Sequence, residues 1–456
     1  MKIVYTCPYS EIAAGGDSRV AWELARYMAG NTANEVWMLC PDTTYSIKKD
    51  HIEPELMVRT LKSTDVKDGL RIYSPTVNKI NKIYKVLNEL SPDVVHGHTI
   101  DPLSFIIQGW CSNHGIPYVY TGHLLATKFN DWQPLDLNFA LKPIVNVSLD
   151  VYTTTYYQNC TKIVCLNEYA RKDFEEFTKD PSKLVVIPNG HVFDEVERSV
   201  NIQKDNPIRL MFSGYICERK NQLLLIKMLK YLDTKREVEL LLPGKFHTSD
   251  YEDIVNEEIS SLPENRKVVL PGYIDHEELL KLYSKTHIFV SAALAEVQSL
   301  SVIESLAFGT PVVGLSNTTT TELIKDNYNG TVLDADSTTP QDFAKSVSKY
   351  LNMSQSKYLN VCKNCKESVK FLEYSNVSKQ FVNLYSELIE KSKHIEKKDR
   401  GLNYLKRFLR FRDSNEKKKI NYRYGIFLGV VSVAVVAGLG AMSIGKSINK
   451  IRKKKE

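Results

Sequence analysis

FVSAALAEVQSLSVIESLAFGTPVVGLSNTTTTELIKDNYNGTVL, running from Phe289 to Leu333, sets two glutamates, Glu296 and Glu304, around one strand-to-helix turn. The run HIFVS (His287 to Ser291) is apolar and β-branched enough for a buried parallel strand, and Ser301 to Phe308 has helical periodicity. Glu296 therefore falls in the loop at the carboxyl end of a strand, and Glu304 in the helix that follows. A helix starting at Ser299 to Ser301, with Leu300 in its first turn, would aim backbone N–H groups at the loop, the usual seat of a diphosphate. The carboxylates on either side would accept hydrogen bonds from hydroxyls of the kind that sugars and riboses carry.

The same alternation of strand, loop and helix continues in both directions and reads as α/β layers with parallel sheets. Ile3 to Thr6 is followed by a loop with Gly15-Gly16 and a helix from about Ser18 to Ala29. VWMLC (Val36 to Cys40), PDVVHGH (Pro92 to His98), PYVYTGH (Pro117 to His123), TKIVCL (Thr161 to Leu166) and LVVIPNG (Leu184 to Gly190) complete a doubly wound domain over 1–196. Polar, unpatterned residues from Glu197 to Asn206 read as a hinge. The pattern restarts with IRLMFSG (Ile208 to Gly214), VELLLPG (Val238 to Gly244), KVVLPG (Lys267 to Gly272), HIFVS and TPVVGL (Thr310 to Leu315), a second Rossmann-like domain over 207–375. Two such sheets facing each other would leave a cleft lined by strand carboxyl ends. A helix within 376–394 is expected to cross back to the first domain.

The chain has 456 residues, 43% of them apolar, enough for two cores and a tail, and its formal charge of +6 is concentrated in the last sixty residues. The body is thus no nucleic-acid binder by charge. Eight cysteines spread through strand-like and helical segments, with no signal peptide ahead of Met1-Lys2-Ile3, read as reduced thiols of a cytoplasmic protein. Cys362 and Cys365 form a CxxC without the second ligand pair a zinc site needs.

Past the body, Leu402, Leu405, Phe408, Leu409 and Phe411 recur at helical spacing with Lys406, Arg407, Arg410 and Arg412 between them, which makes 395–424 a basic amphipathic segment suited to an anionic membrane. Ile426 to Ile444 carries no charge and is long enough to cross a bilayer, so 425–445 is expected to be a transmembrane helix and 446–456 a basic tail. Gly425 and Gly429 form a GxxxG spacing for helix pairing. Basic residues flank the span on both sides, so the positive-inside rule does not orient it.

Together these motifs make residues 1–390 resemble the retaining GT4 glycosyltransferases of GT-B fold. Glu296 and Glu304 stand as that family's E-x7-E, followed by SLAFGTPVV and by Glu322 in TELIKDNYNG. IPNG (Ile187 to Gly190) closes the first domain, and FSGYICERKNQ opens the second with Lys220 at the family's phosphate-binding position. Gly15-Gly16 and the TGH of Thr121 to His123 match its amino-terminal donor-side loops. The resemblance implies a nucleotide-sugar donor held by Gly15, Gly16, Arg219, Lys220, Ser299, Leu300, Ser301 and Glu304, the last on the ribose. His123 and Glu296 would lie at the donor sugar as the catalytic pair. No cofactor and no metal are implied. Breaking a glycosyl–diphosphate bond builds negative charge on the leaving group, which cations and N–H donors stabilise.

Several residues depart from the pattern. Tyr215 stands where the family has arginine, with Arg219 the nearest substitute. Ser299 replaces a glycine, and the glycine-rich turn before the later glutamate is Thr318 to Thr321. Asp334-Ala335-Asp336 reads as a turn outside the cleft. The expected function is transfer from a UDP- or GDP-sugar to a membrane lipid or lipid-linked acceptor. The alternatives are a soluble glycan or protein acceptor, a nucleotide-sugar epimerase of the same fold, and a membrane-tethered scaffold without catalysis.

Overall fold

A computed structural model of the chain describes residues 1–7, 16–41, 56–61, 64–67, 70–72, 77–127, 152–178, 180–192, 198 and 200–393. Gly15, the amphipathic segment 395–424, the expected span 425–445 and the tail 446–456 lie outside them. Among the described residues, no helix is long and apolar enough to cross a membrane. The chain divides into two compact units, one formed by Met1 to Ile187 with the chain from Gln380 onward, the other by Pro188 to Lys379.

The first unit holds a seven-stranded sheet built from β1 (Lys2–Thr6), β2 (Glu35–Pro41) and β3 (Leu56–Leu61) on one side. A two-stranded antiparallel ribbon, β4 (Thr64–Lys67) and β5 (Leu70–Ile72), follows outside it. The sheet's other side is β6 (Val94–Gly97), β7 (Tyr118–Gly122), β8 (Lys162–Cys165) and β9 (Leu184–Val186), in the order β3-β2-β1-β6-β7-β8-β9. All its pairings are parallel, and strand order reverses between β1 and β6, where Tyr5 lies opposite His96. Ligands of open α/β sheets bind at such a reversal, outside the carboxyl ends of the strands. Local chemistry ends the connections cleanly. Asp101 accepts from the amides of Leu103 (2.7 Å) and Ser104 (3.1 Å) to start the helix Pro102–His114, and Gly115 at φ 68° ends it. The sequence reading missed β3 and the ribbon because their short, polar-interrupted runs carry no apolar periodicity.

The second unit repeats the plan with β10 (Ile208–Met211), β11 (Val238–Leu241), β12 (Arg266–Val269), β13 (Ile288–Ser291), β14 (Val312–Leu315) and β15 (Gly330–Leu333). The order is β12-β11-β10-β13-β14-β15, all parallel, and the reversal lies between β10 and β13. β13 and β14 are buried along their whole length, which is why HIFVS and TPVVGL read as unbroken apolar runs rather than alternating ones.

Two expectations are corrected here. The stretch from Glu197 to Asn206 is no free hinge where it is described. Ile202 is fully buried in the second unit's core, and the Arg198 guanidinium donates to the carbonyl of Thr286 (2.7 Å) and the hydroxyl of Tyr358 (2.6 Å) and also reaches the carbonyl of Gly309. The boundary between the units falls earlier, after Ile187. Thr318 to Thr321, read from the sequence as the turn before Glu322, is the first turn of a helix, Thr318–Leu323. Asn317 accepts from the amides of Thr319 (3.0 Å) and Thr320 (3.1 Å), and Thr320 Oγ1 accepts from the Asn317 amide, a reciprocal cap that nucleates the helix.

The last described helix, Tyr374–Lys393, begins in the second unit and from Gln380 onward belongs to the first. There Tyr385 hydrogen-bonds the Tyr5 hydroxyl (3.3 Å), and Phe381 lies 5.4 Å from the His96 ring.

Candidate functional site

In the second unit the loops after β10 and β13 bring chemistry to the reversal point of the sheet. The first makes a short 3-10 turn, Glu218–Lys220, and leaves through Asn221 in a left-handed conformation at φ 53°. Its path is fixed by crowding, since a Cβ on Gly244 would fall 1.8 Å from the carbonyl oxygen of Gly214. Only a glycine at 244 lets the loops after β10 and β11 lie together. Lys220 ends up largely buried, its ammonium 5.9 Å from the Phe212 ring centroid and in contact with a Glu296 carboxylate oxygen.

Arg219 joins the same carboxylate from the solvent side at 3.8 Å. It also stitches the two loops together: its guanidinium donates to the carbonyl of Ala295 (2.9 Å), and its own carbonyl accepts from the amide of Leu294 (3.0 Å). Two cations thus converge on one carboxylate, and the spot carries net positive charge. Tyr215, by contrast, points out half-exposed where the resemblance led one to look for a cation.

The loop from Ala293 to Ser299 leads into the helix Leu300–Ala307, with Ser299 as its N-cap residue. Ser299 spends its amide on Thr319 Oγ1 (2.9 Å), and its hydroxyl pairs with that of Ser301 (2.9 Å), so this N–H is engaged inside the fold. The amides of Leu300 and Ser301 open the helix and give its dipole a positive end there. Glu304 sits one turn in, on the same helix, with 1% of its surface exposed. Gln298 accepts the amide of Asn189 (2.7 Å), which ties the IPNG segment to this loop within the second unit.

In the first unit His123, partly exposed just past β7, shares a hydrogen bond between its Nε2 and Nδ1 of His98 (3.0 Å). The His98 ring lies 4.3 Å from that of His96, and His96 is pinned at both nitrogens, by the Tyr385 hydroxyl (2.6 Å) and Thr121 Oγ1 (2.7 Å). Burial holds His123 down to about 4 and His96 to about 3, and pushes His98 well below the ordinary imidazole value. All three rings are therefore neutral at pH 7. Gly16 opens the helix Gly16–Asn31, exposed, while Gly15 lies outside the described residues.

The remaining motifs resolve into structure. Asp334 accepts from the amides of Asp336 (3.0 Å) and Ser337 (2.9 Å) as a turn cap, and the Ser337 hydroxyl bond to it holds its carboxyl below the usual range. Cys362 and Cys365 are buried free thiols on the helix Gln355–Val369. Among the described residues, no group of three or more His, Cys, Asp or Glu side chains is disposed to hold a metal ion. The sequence pattern gives no sign of a role for His96 and His98, and it marks Thr318 to Thr321 only as a turn. HGH closes the strand run of β6, and its i, i+2 spacing sets both imidazoles on one face.

Two family models match the chain. Residues 14–194 match "Glycosyltransferase Family 4", and residues 193–370 match "Glycosyl transferases group 1". The chain is 23% identical to alpha-monoglucosyldiacylglycerol synthase of Streptococcus pneumoniae over 265 residues, 55% of this chain and 58% of that protein. It spans about three-fifths of the length of the first curated relatives it matches. Among solved structures, sucrose-phosphate synthase of Thermosynechococcus elongatus superposes with a TM-score of 0.66 at 18% identity, covering 86% of this chain and 99% of that one. HepE of Anabaena in complex with UDP-glucose superposes with a TM-score of 0.63 at 16% identity, covering 85% of this chain and all of that one (100%). At these identities the superpositions establish the fold.

Proposed function

We propose that this chain, a GT4-like glycosyltransferase by the two family matches over residues 14–370, transfers a sugar with retention from a UDP- or GDP-linked donor to a lipid or lipid-linked acceptor at a membrane. The observation that carries the reading is the meeting of Lys220 with Glu296 at the strand-order reversal of the second sheet. In this reading Lys220, Arg219 and the opening amides of the helix Leu300–Ala307 take up the diphosphate, whose charge grows as its bond to the anomeric carbon breaks. Glu296 accepts hydroxyl hydrogen bonds from the sugar and Glu304 from the ribose. The first unit is assigned the acceptor, and its His123 is a neutral imidazole, able to donate or accept a hydrogen bond but not to add charge. Lysine, arginine and helix dipole together provide the positive field, so the reaction is assigned to a metal-independent class.

The acceptor class draws on two supports. The sequence from 395 to 456 is basic, amphipathic and then apolar, and the pneumococcal relative is named for a glucosyl diacylglycerol product. Full-length protein incubated with native membranes and radiolabelled UDP- or GDP-sugars should pass label into the organic-extractable fraction, and Glu296→Ala should stop it. Label moving only into soluble glycan or protein would replace the lipid acceptor, and undiminished transfer by Glu296→Ala would remove the site.

A further inference from the structure

Thr318 and its neighbours occupy a place that the proposed chemistry does not use, yet they hold the loop that carries Glu296. The Thr318 hydroxyl shares its proton between the carbonyl of Glu296 itself and that of Val297 (2.7 Å). Thr319 Oγ1 accepts the amide of Ser299 (2.9 Å), and Asn317 Nδ2 donates to the carbonyl of Ala293 (2.9 Å). With Arg219 bound to Leu294 and Ala295 on the other side, backbone groups of six consecutive or near-consecutive residues from Ala293 to Ser299 are tied to other segments. The donors and acceptors of this clasp sit on a helix start that is itself locked by the Asn317–Thr320 reciprocal cap. An apolar side chain at 318 or 319 could not make these bonds.

We propose that Asn317, Thr318 and Thr319 are positioning residues that hold the Glu296 carboxylate at the angle at which it meets the donor sugar. The inference rests on the donor-sugar role given to Glu296 above. Removing the Thr318 hydroxyl leaves Lys220, Arg219 and the opening of the helix Leu300–Ala307 in place, so the diphosphate keeps its partners. Only the sugar loses a correctly aimed acceptor. A purely structural clasp would instead weaken everything together or nothing.

The test compares full-length protein binding UDP with UDP-glucose, and GDP with GDP-mannose, by calorimetry. Thr318→Val is isosteric and lacks the hydroxyl, and Thr318→Ser retains it. The expected result is that Thr318→Val loses about tenfold in affinity for the nucleotide sugar while the bare nucleotide is held nearly as before, the size expected for one lost hydrogen bond to a positioned group. Thr318→Ser should restore the sugar preference, and Thr318→Val should add nothing in a Glu296→Gln background. If Thr318→Val keeps the sugar preference while Glu296→Gln abolishes it, the positioning role is overturned and the glutamate's role stands. If Glu296→Gln itself keeps the preference, or no nucleotide binds the wild-type chain, the functional reading falls and the inference with it.

Discussion

Nδ1 of His98 and Nε2 of His123 lie 3.0 Å apart, so one proton between two neutral rings couples their tautomers. Burial holds His123 at about 4, so the imidazole should not titrate in the neutral range. Transfer rate against pH should show no inflection assignable to His123 between pH 5 and 8. The measurement that checks it is the imidazole proton shift of His123 followed by NMR. A midpoint near 6.5 would show that the ring is solvated and free of His98.

Acid should unfold the protein earlier than its carboxylates require. His287 is buried, accepts the Arg209 amide at Nδ1 (3.0 Å) and faces Asp205 through Nε2 (3.0 Å), and burial lowers it from 6.5 to about 4. The folded value is depressed, so the unfolded chain takes the proton first. Stability is whole above pH 6.5, falls as pH drops below it, and this contribution is spent near pH 4. His287 alone accounts for roughly 3 kcal/mol over that window. Urea midpoints measured at pH 7 and pH 4.5 should differ accordingly, and His287→Gln should flatten the difference.

Lys220→Ala should weaken UDP or GDP binding by about 1.5–3 kcal/mol, the range for a hydrogen bond to a charged partner. The loss should appear with the bare nucleotide and not only with the nucleotide sugar, because the ammonium is assigned to phosphate. Isothermal titration separates the two, and equal affinity for UDP in wild type and variant would end that assignment.

Arg198→Ala should destabilise the second unit by about 2–4 kcal/mol, since it takes the guanidinium donor from the carbonyls of Thr286 and Gly309 at once, while Tyr358 keeps its bond to the carbonyl of His287. Denaturant unfolding measures it. A change under half a kcal/mol would mean that those groups find other partners.

The parallel sheets were legible because β6, β7, β13 and β14 are buried on both faces and so print themselves as apolar runs. The placement of Lys220 after β10, of Glu296 in the loop after β13 and of Glu304 in the helix that follows was legible because loop and helix patterns at a strand end are local in sequence. Arg198 was not, since a guanidinium that plugs carbonyls about a hundred residues away leaves no local trace and looks like any polar linker residue. Thr318 was misread for a related reason. A run of threonines has low helix propensity, and only the Asn317 cap and the partners in the glutamate loop make it helical. His98 was hidden by Tyr385, whose helix arrives at the far end of the chain to lock the ring beside it.

That late arrival also sets a clock. Phe381 and Tyr385 fill the first unit against Tyr5 and His96, so the part of the protein made first lacks two of its own core side chains until the whole second unit has been synthesised. The second unit is contiguous and can close on its own schedule. A chain cut at residue 370, where the second family match ends, would hold every residue assigned to the donor and still leave the histidine cluster without its lid.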